Sequence, residues 1–197
     1  SGMRLAVAQL NPTVGDFGGN LARIEETLDR VRPERPDLAV FPELFLTGYP
    51  PQDLLEKPWF AERAAAALDA LRRLSERHAG TGVLVGTISR SERVAGKGLY
   101  NSAFLVKEGE IAFAWHKVLL PTYDVFDEAR YFDRGSDTAL LEFAGERVGV
   151  SICEDAGTDP ALWGRPAYDA DPVADAAAAG ATLLINLSAS PFTVGKD

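Results

Sequence analysis

The sequence predicts an α/β fold in which mixed β-sheets carry helices on their outer faces. Two observations predict it. Near both ends of the chain, short β-rich apolar segments alternate with helical ones, the rhythm of parallel strands joined by helical crossovers. In the middle, strands are separated by only a few residues, which is the spacing of antiparallel hairpins. The 197 residues suffice for one domain with a sizeable core.

Taken in order, Arg4–Leu10 reads as a first strand. Asn20 caps a helix whose apolar stripe is Leu21, Ile24, Leu28 and Val31. Leu38–Phe41 is a second strand, closed by Pro42. An Ala/Arg/Leu-rich helix follows over Phe60–His78, with His78 facing the negative end of its dipole. Further strands are expected at Val83–Ile88, Asn101–Val106, Ile111–Trp115, Leu140–Phe143 and Val148–Cys153. Pro172–Ala179 should be helical and lead into a buried strand at Thr182–Leu187, followed by a functional loop over Ser190–Lys196. Ser1-Gly2 ahead of Met3 reads as a cloning remnant. The closing strand and loop read as the point where a longer sandwich is cut.

Composition narrows the function. With 46% hydrophobic and 25% charged residues, the chain is ordinary for a globular protein. A net charge of −9, with acidic and basic residues interleaved, repels phosphate backbones and argues against a nucleic-acid partner. No apolar run reaches membrane-spanning length. The run Ala176–Leu187 is broken by Gly180 and Asn186, and the first strand is too short for a signal peptide. One cysteine cannot form an internal disulfide, which fits a cytoplasmic protein. That cysteine and two histidines, His78 and His116, make a poor zinc set, so no metal is expected.

Three polar residues stand at the downstream ends of apolar strands: Glu43 after Leu38–Pro42, Lys117 after Ile111–His116, and Cys153 after Val148–Ile152. In α/β folds, ligands bind where strand ends and their loops converge. A carboxylate, an ammonium and a thiol at such a place form a complete set for splitting an amide. Cys153 attacks as thiolate, Glu43 accepts its proton and returns it to the departing amine, and Lys117 stabilises the oxyanion. The N–H of Glu154 is a candidate second donor to that oxyanion. Each residue alone has a plainer reading. A lone cysteine is usually packing, and a lone Glu or Lys is usually a cap or a surface charge. Glu154-Asp155 also works, by charge, against a thiolate at Cys153.

Three segments resemble the signature blocks of the nitrilase (carbon–nitrogen hydrolase) superfamily, in its order Glu, Lys, Cys. They are Phe41-Pro42-Glu43-Leu44, His116-Lys117-Val118-Leu119-Leu120-Pro121, and Ser151-Ile152-Cys153-Glu154-Asp155. The resemblance implies a four-layer αββα sandwich. Thr47–Leu55, Leu120–Phe132 and Asn186–Lys196 are further similar to the glutaminase domains of glutamine-dependent NAD+ synthetases.

That likeness implies Glu43 as base, Lys117 as second catalytic residue and Cys153 as nucleophile, with Tyr123, Ser190 and Lys196 contacting L-glutamine and Glu128 orienting Lys117. It also implies a homo-oligomer. Where such relatives often carry an aromatic after the Cys-Glu-Asp block, this chain has Gly157. Residues 3–197 then read as a glutaminase domain incomplete at its C-terminal end. The hydrolytic step needs no cofactor; ATP, Mg and deamido-NAD+ belong to a synthetase domain whose nucleotide loop is absent from this chain. An amidase for another small amide or carbamoyl compound, and a non-catalytic scaffold or gating module, are the alternatives.

Other motifs carry little. Gly80–Gly86 has the wrong spacing for a dinucleotide loop. His116 beside Lys117 invites a Cys–His reading, but the sequence offers it no orienting partner.

Overall fold

A computed structural model describes residues 2–49, 54–55, 57–90, 99–119, 140–152, 180–188 and 192–194, with 117–119 and 192–194 described as backbone. Among these, β1 (Leu5–Val7), β2 (Leu38–Val40), β3 (Gly82–Arg90), β4 (Leu99–Lys107) and β5 (Glu110–Leu119) form one sheet in chain order. The pairs β1–β2 and β2–β3 are parallel, and β3–β4 and β4–β5 are antiparallel. A second sheet holds β6 (Leu141–Phe143), β7 (Glu146–Ile152), β8 (Leu183–Leu187) and β9 (Phe192–Val194), with β7–β8 parallel and its other pairs antiparallel. The mixed sheets expected from the two spacings are present.

Period-two alternation sorts the first sheet into two apolar faces. One face, with Ala39, Phe41, Val83, Val85, Phe104 and Val106, packs under two helices, α1 (Phe17–Val31) and α2 (Pro58–Glu76), which contribute Ile24, Leu28, Leu71 and Leu74. The other face, with Leu38, Val40, Leu84, Ala103, Leu105 and Trp115, meets Val148, Ile152, Ile185 and Leu187 of the second sheet. The described residues thus build helix, sheet and sheet layers. The helix expected at 172–179 lies outside the described residues.

Several boundaries depart from expectation for local reasons. β1 is shorter than Arg4–Leu10: past Ala8, whose N–H still reaches Val40 O at 2.9 Å, the chain turns toward α1. The cap of α1 is Asp16, whose Oδ1 accepts from Gly19 N at 2.9 Å, rather than Asn20. Asn20 sits one turn in, fully buried, with its amide committed elsewhere. Lys117 lies inside β5 rather than beyond it, because the β4–β5 ladder runs on to Leu119. The loop expected over 190–196 contains β9, which pairs with Leu184–Asn186.

Two clamps hold the helices, one tying α2 to the sheet and one tying α2 to α1. The β4–β5 turn uses left-handed backbone at Glu108 and Gly109, and Gly109 is held at both ends. Its N–H donates to Ser75 Oγ (2.9 Å) and its carbonyl accepts from Arg72 Nε (3.0 Å). His78, just past α2, is buried, with Nδ1 3.1 Å from Arg32 Nη2 and Nε2 3.6 Å from Asp29 Oδ1. It therefore bonds to the end of α1 rather than merely facing its own helix dipole. Burial, and then Arg32, hold its pKa below the ordinary 6.5, against an opposing pull from Asp29. Among the described residues no helix is long and apolar enough to cross a membrane.

Candidate active site

The segment after β2 carries Glu43 sideways over its neighbour. Phe41 N still donates to Leu84 O of β3 (2.9 Å), and five residues later Leu46 N donates to Gly86 O (3.1 Å). Between those bonds the chain crosses β3 at Gly86. A Cβ there would lie 2.7 Å from Pro42 O and 2.8 Å from the Glu43 carbonyl carbon, and would overlap Leu44 N. Only glycine permits that passage.

The crossing needs unusual backbone, and Leu44 adopts a φ of +51°. Such geometry persists only where the surroundings over-determine it, and here they do. Thr47 Oγ1 donates to Leu44 O at 3.0 Å. Asn20 accepts from Thr13 N (2.9 Å) and donates to Thr13 O (2.9 Å) and Leu46 O (3.1 Å). Gly15 N donates to Thr47 O at 2.8 Å. Gly48, at φ +84°, lies against the backbone of Val14.

Glu43 is 1% exposed. Its Oε2 accepts from Asn101 Nδ2 at 2.9 Å, and its backbone N–H donates to Ser188 O at 3.0 Å. Each contact leads to a second expected residue. Asn101, in β4, is the register partner of Lys117 in β5. Ser188 follows Leu187, the register partner of Ile152, and Cys153 is the next residue along the chain from Ile152. Glu43 therefore sits where β4 and β5 of one sheet meet the ends of β7 and β8 of the other.

The side chain of Lys117 lies outside the described residues, as do Cys153, Tyr123, Glu128, Glu154, Ser190 and Lys196. What the geometry provides is a buried carboxylate, oriented by a neutral amide donor, at the junction of the two sheets. Such a group is placed to accept a proton from a nucleophile entering there.

Sequence reasoning missed Asn101, Gly86 and Ser188. A signal existed for the first: Asn101 is a polar residue amid Leu99–Val106, otherwise a core strand. The expectation for His116 also needs correcting. It has an orienting partner, since its Nδ1 lies 2.8 Å from Ser102 Oγ, which in turn lies 2.7 Å from Ser89 Oγ. His116 packs on Tyr100 and Phe104, and Phe104 belongs to the helix-facing core. Strand alternation puts this chain on the face opposite Asn101, so His116 does not share the carboxylate's site.

The carbon-nitrogen hydrolase family model matches residues 4–196. Glutamine-dependent NAD(+) synthetases of Synechocystis sp. and Thermotoga maritima are each 41% identical over 98% of the chain, which covers 35% and 31% of their lengths. The chain thus spans about a third of the length of these curated relatives. Among solved structures, the glutamine-dependent NAD+ synthetase of Acinetobacter baumannii superposes with a TM-score of 0.71 at 28% identity, over 98% of this chain and 33% of that one. A mutant amidase from Nesterenkonia sp. AN1, carrying the acetamide moiety of fluoroacetamide covalently on its active-site cysteine, superposes with a TM-score of 0.70 at 25% identity, over 94% and 64%.

Proposed function

From the premise that the chain belongs to the carbon-nitrogen hydrolase family, we propose that it hydrolyses the side-chain amide of L-glutamine and supplies the ammonia to ATP-dependent synthesis of NAD+ from deamido-NAD+. The observation that carries this reading is the seating of Glu43, buried and held by Asn101 beside the register position of Lys117 and the strand end that leads to Cys153. The likeness to NAD+ synthetases along 98% of the chain supports glutamine as the amide.

In this reading Glu43 takes the Cys153 thiol proton as the sulfur attacks the amide carbon. The oxyanion is met by Lys117 and the N–H of Glu154, each such donor contributing about 10²–10³ in rate. Glu43 returns the proton to the nitrogen, the C–N bond breaks, and ammonia leaves a γ-glutamyl thioester. Water, deprotonated by Glu43, then attacks that thioester, releasing glutamate and restoring the thiol. Tyr123, Ser190 and Lys196 hold the glutamine, and Lys196 is suited to its α-carboxylate. Glu128 steadies Lys117. ATP, Mg and deamido-NAD+ would be used by a synthetase domain partnered with this one in a cytoplasmic homo-oligomer.

The test is ammonia release from glutamine by the full chain, with Cys153→Ala as control. Loss of release in the variant is expected, and unchanged release would sink the assignment. The Nesterenkonia amidase shares the fold to a similar degree, so a panel of small amides belongs in the same experiment. Turnover of another amide in preference to glutamine would identify an amidase instead.

A further inference from the structure

The proposed mechanism uses Asn101 only as a partner of Glu43 and gives it no step of its own, yet its placement is costly to maintain. It is fully buried in the first half of β4, on the face where Ala103 and Leu105 serve only to pack. An apolar side chain there would satisfy the core. Instead, Nδ2 is 2.9 Å from Glu43 Oε2, while Oδ1 is buried and meets no donor among the described residues. A buried acceptor left in this way disfavours the fold. Stability alone does not explain the residue.

Its neighbours suggest what does. Asn101 is in register with Ile88 on one side and Lys117 on the other. A carboxylate offers acceptors only, and the amide of Asn101 meets that of Glu43 with a donor, Nδ2. Aspartate and leucine lack that donor.

We propose, resting on the function argued above, that Asn101 is a positioning residue that fixes Glu43 in its proton-accepting orientation. Asn101 acts through that carboxylate. The carboxylate reached its place by a strained crossing of β3, which fixes its backbone. The amide adds a restraint on its side-chain torsions. Losing it lets the carboxylate rotate away from the thiol without emptying the glutamine site.

The test is a double-mutant cycle in the full chain with Asn101→Leu, Glu43→Gln and their combination. Two rates are read, glutamine turnover and alkylation of Cys153 by iodoacetamide, which needs the thiolate but no turnover. Asn101→Leu is expected to lower kcat about 10–100-fold with KM nearly unchanged, the pattern of an interaction that matters only in the transition state. Alkylation should slow in parallel.

In the Glu43→Gln background the same substitution should cost little more, because residues acting through one another are not additive. Equal losses in both backgrounds, or a rise in KM without a fall in kcat, would overturn the positioning role. Should Asn101→Leu fail to fold, Asn101→Asp keeps the shape and removes the donor, and the same non-additivity is expected of it. Cys153→Ala that still releases ammonia overturns the reading of the whole site. A cysteine-dependent enzyme with an additive Asn101 overturns this inference alone.

Discussion

Gly86 and Glu43 lie in direct backbone contact, with room between them for no atom larger than hydrogen. A Cβ on Gly86 would sit 2.8 Å from the Glu43 carbonyl carbon and 2.7 Å from Pro42 O. The lack of a side chain on one strand therefore sets where the carboxylate of the neighbouring segment can be.

Gly86→Ala should accordingly damage activity more than stability. The methyl group meets backbone rather than a flexible side chain, so the segment over β3 must lift. Overpacking of this kind costs about 1–3 kcal/mol. A displacement near 1 Å at a reacting group costs about 10²-fold in rate. Ammonia release and a thermal unfolding curve on the same sample measure both. A variant with full activity would show that the crossing tolerates displacement.

Asn20→Ala tests the anchor at the other end of the crossing. It removes the bonds to Thr13 N, Thr13 O and Leu46 O from a fully buried site. The expected loss is about 2–3 kcal/mol, from buried backbone groups left without partners. Denaturant unfolding would register it as a lower midpoint. Activity should fall as well, because Leu46 O belongs to the segment that carries Glu43.

Glu43→Gln separates chemistry from structure. The glutamine keeps the shape, and its carbonyl can still accept from Asn101 Nδ2, but it takes no proton from the thiol. General-base contributions of about 10²–10⁴ set the expected fall in kcat. Thermal stability should hold, since a buried charge is replaced by a neutral group of the same size. A variant that unfolds rather than merely slows would recast Glu43 as structural.

His78 predicts a pH dependence of stability. Its pKa is held below 6.5 in the fold, by burial first and then by Arg32. As pH falls through 6.5, the unfolded chain binds a proton before the folded chain does, which favours unfolding. The stability tied to neutral His78 is therefore complete above its ordinary pKa. It is lost progressively below that, until the lower folded pKa is reached. Thermal midpoints measured from pH 8 down to pH 5 should drop less steeply for His78→Gln than for the parent.

Much of the fold was legible from periodicity. Runs such as Val83–Ile88 and Val148–Ile152 read as strands, and the stripe Ile24, Leu28 marks the buried side of a helix. What escaped was set by contacts distant in sequence. Asn20 looks like a cap because capping is local. Its actual partners include Leu46, whose approach depends on the crossing at Gly86. Glu43 stands out because it ends an apolar strand. Asn101 does not, since only the pairing of β3, β4 and β5 brings it to that carboxylate. Gly86 was visible as a glycine, but nothing local says what passes over it.

The crossing at Gly86 has a consequence for how the enzyme comes into being. The carboxylate is steered by residues near 20, 47, 86, 101 and 188, and no contiguous stretch of chain contains enough of them to hold it. Its seat therefore appears only when the first sheet has closed through β4 and the second has brought β8 alongside. During synthesis the cysteine at 153 follows most of these residues, but β8 comes later still. On the proposed roles, the thiol at 153 is thus made before the seat of its base is complete.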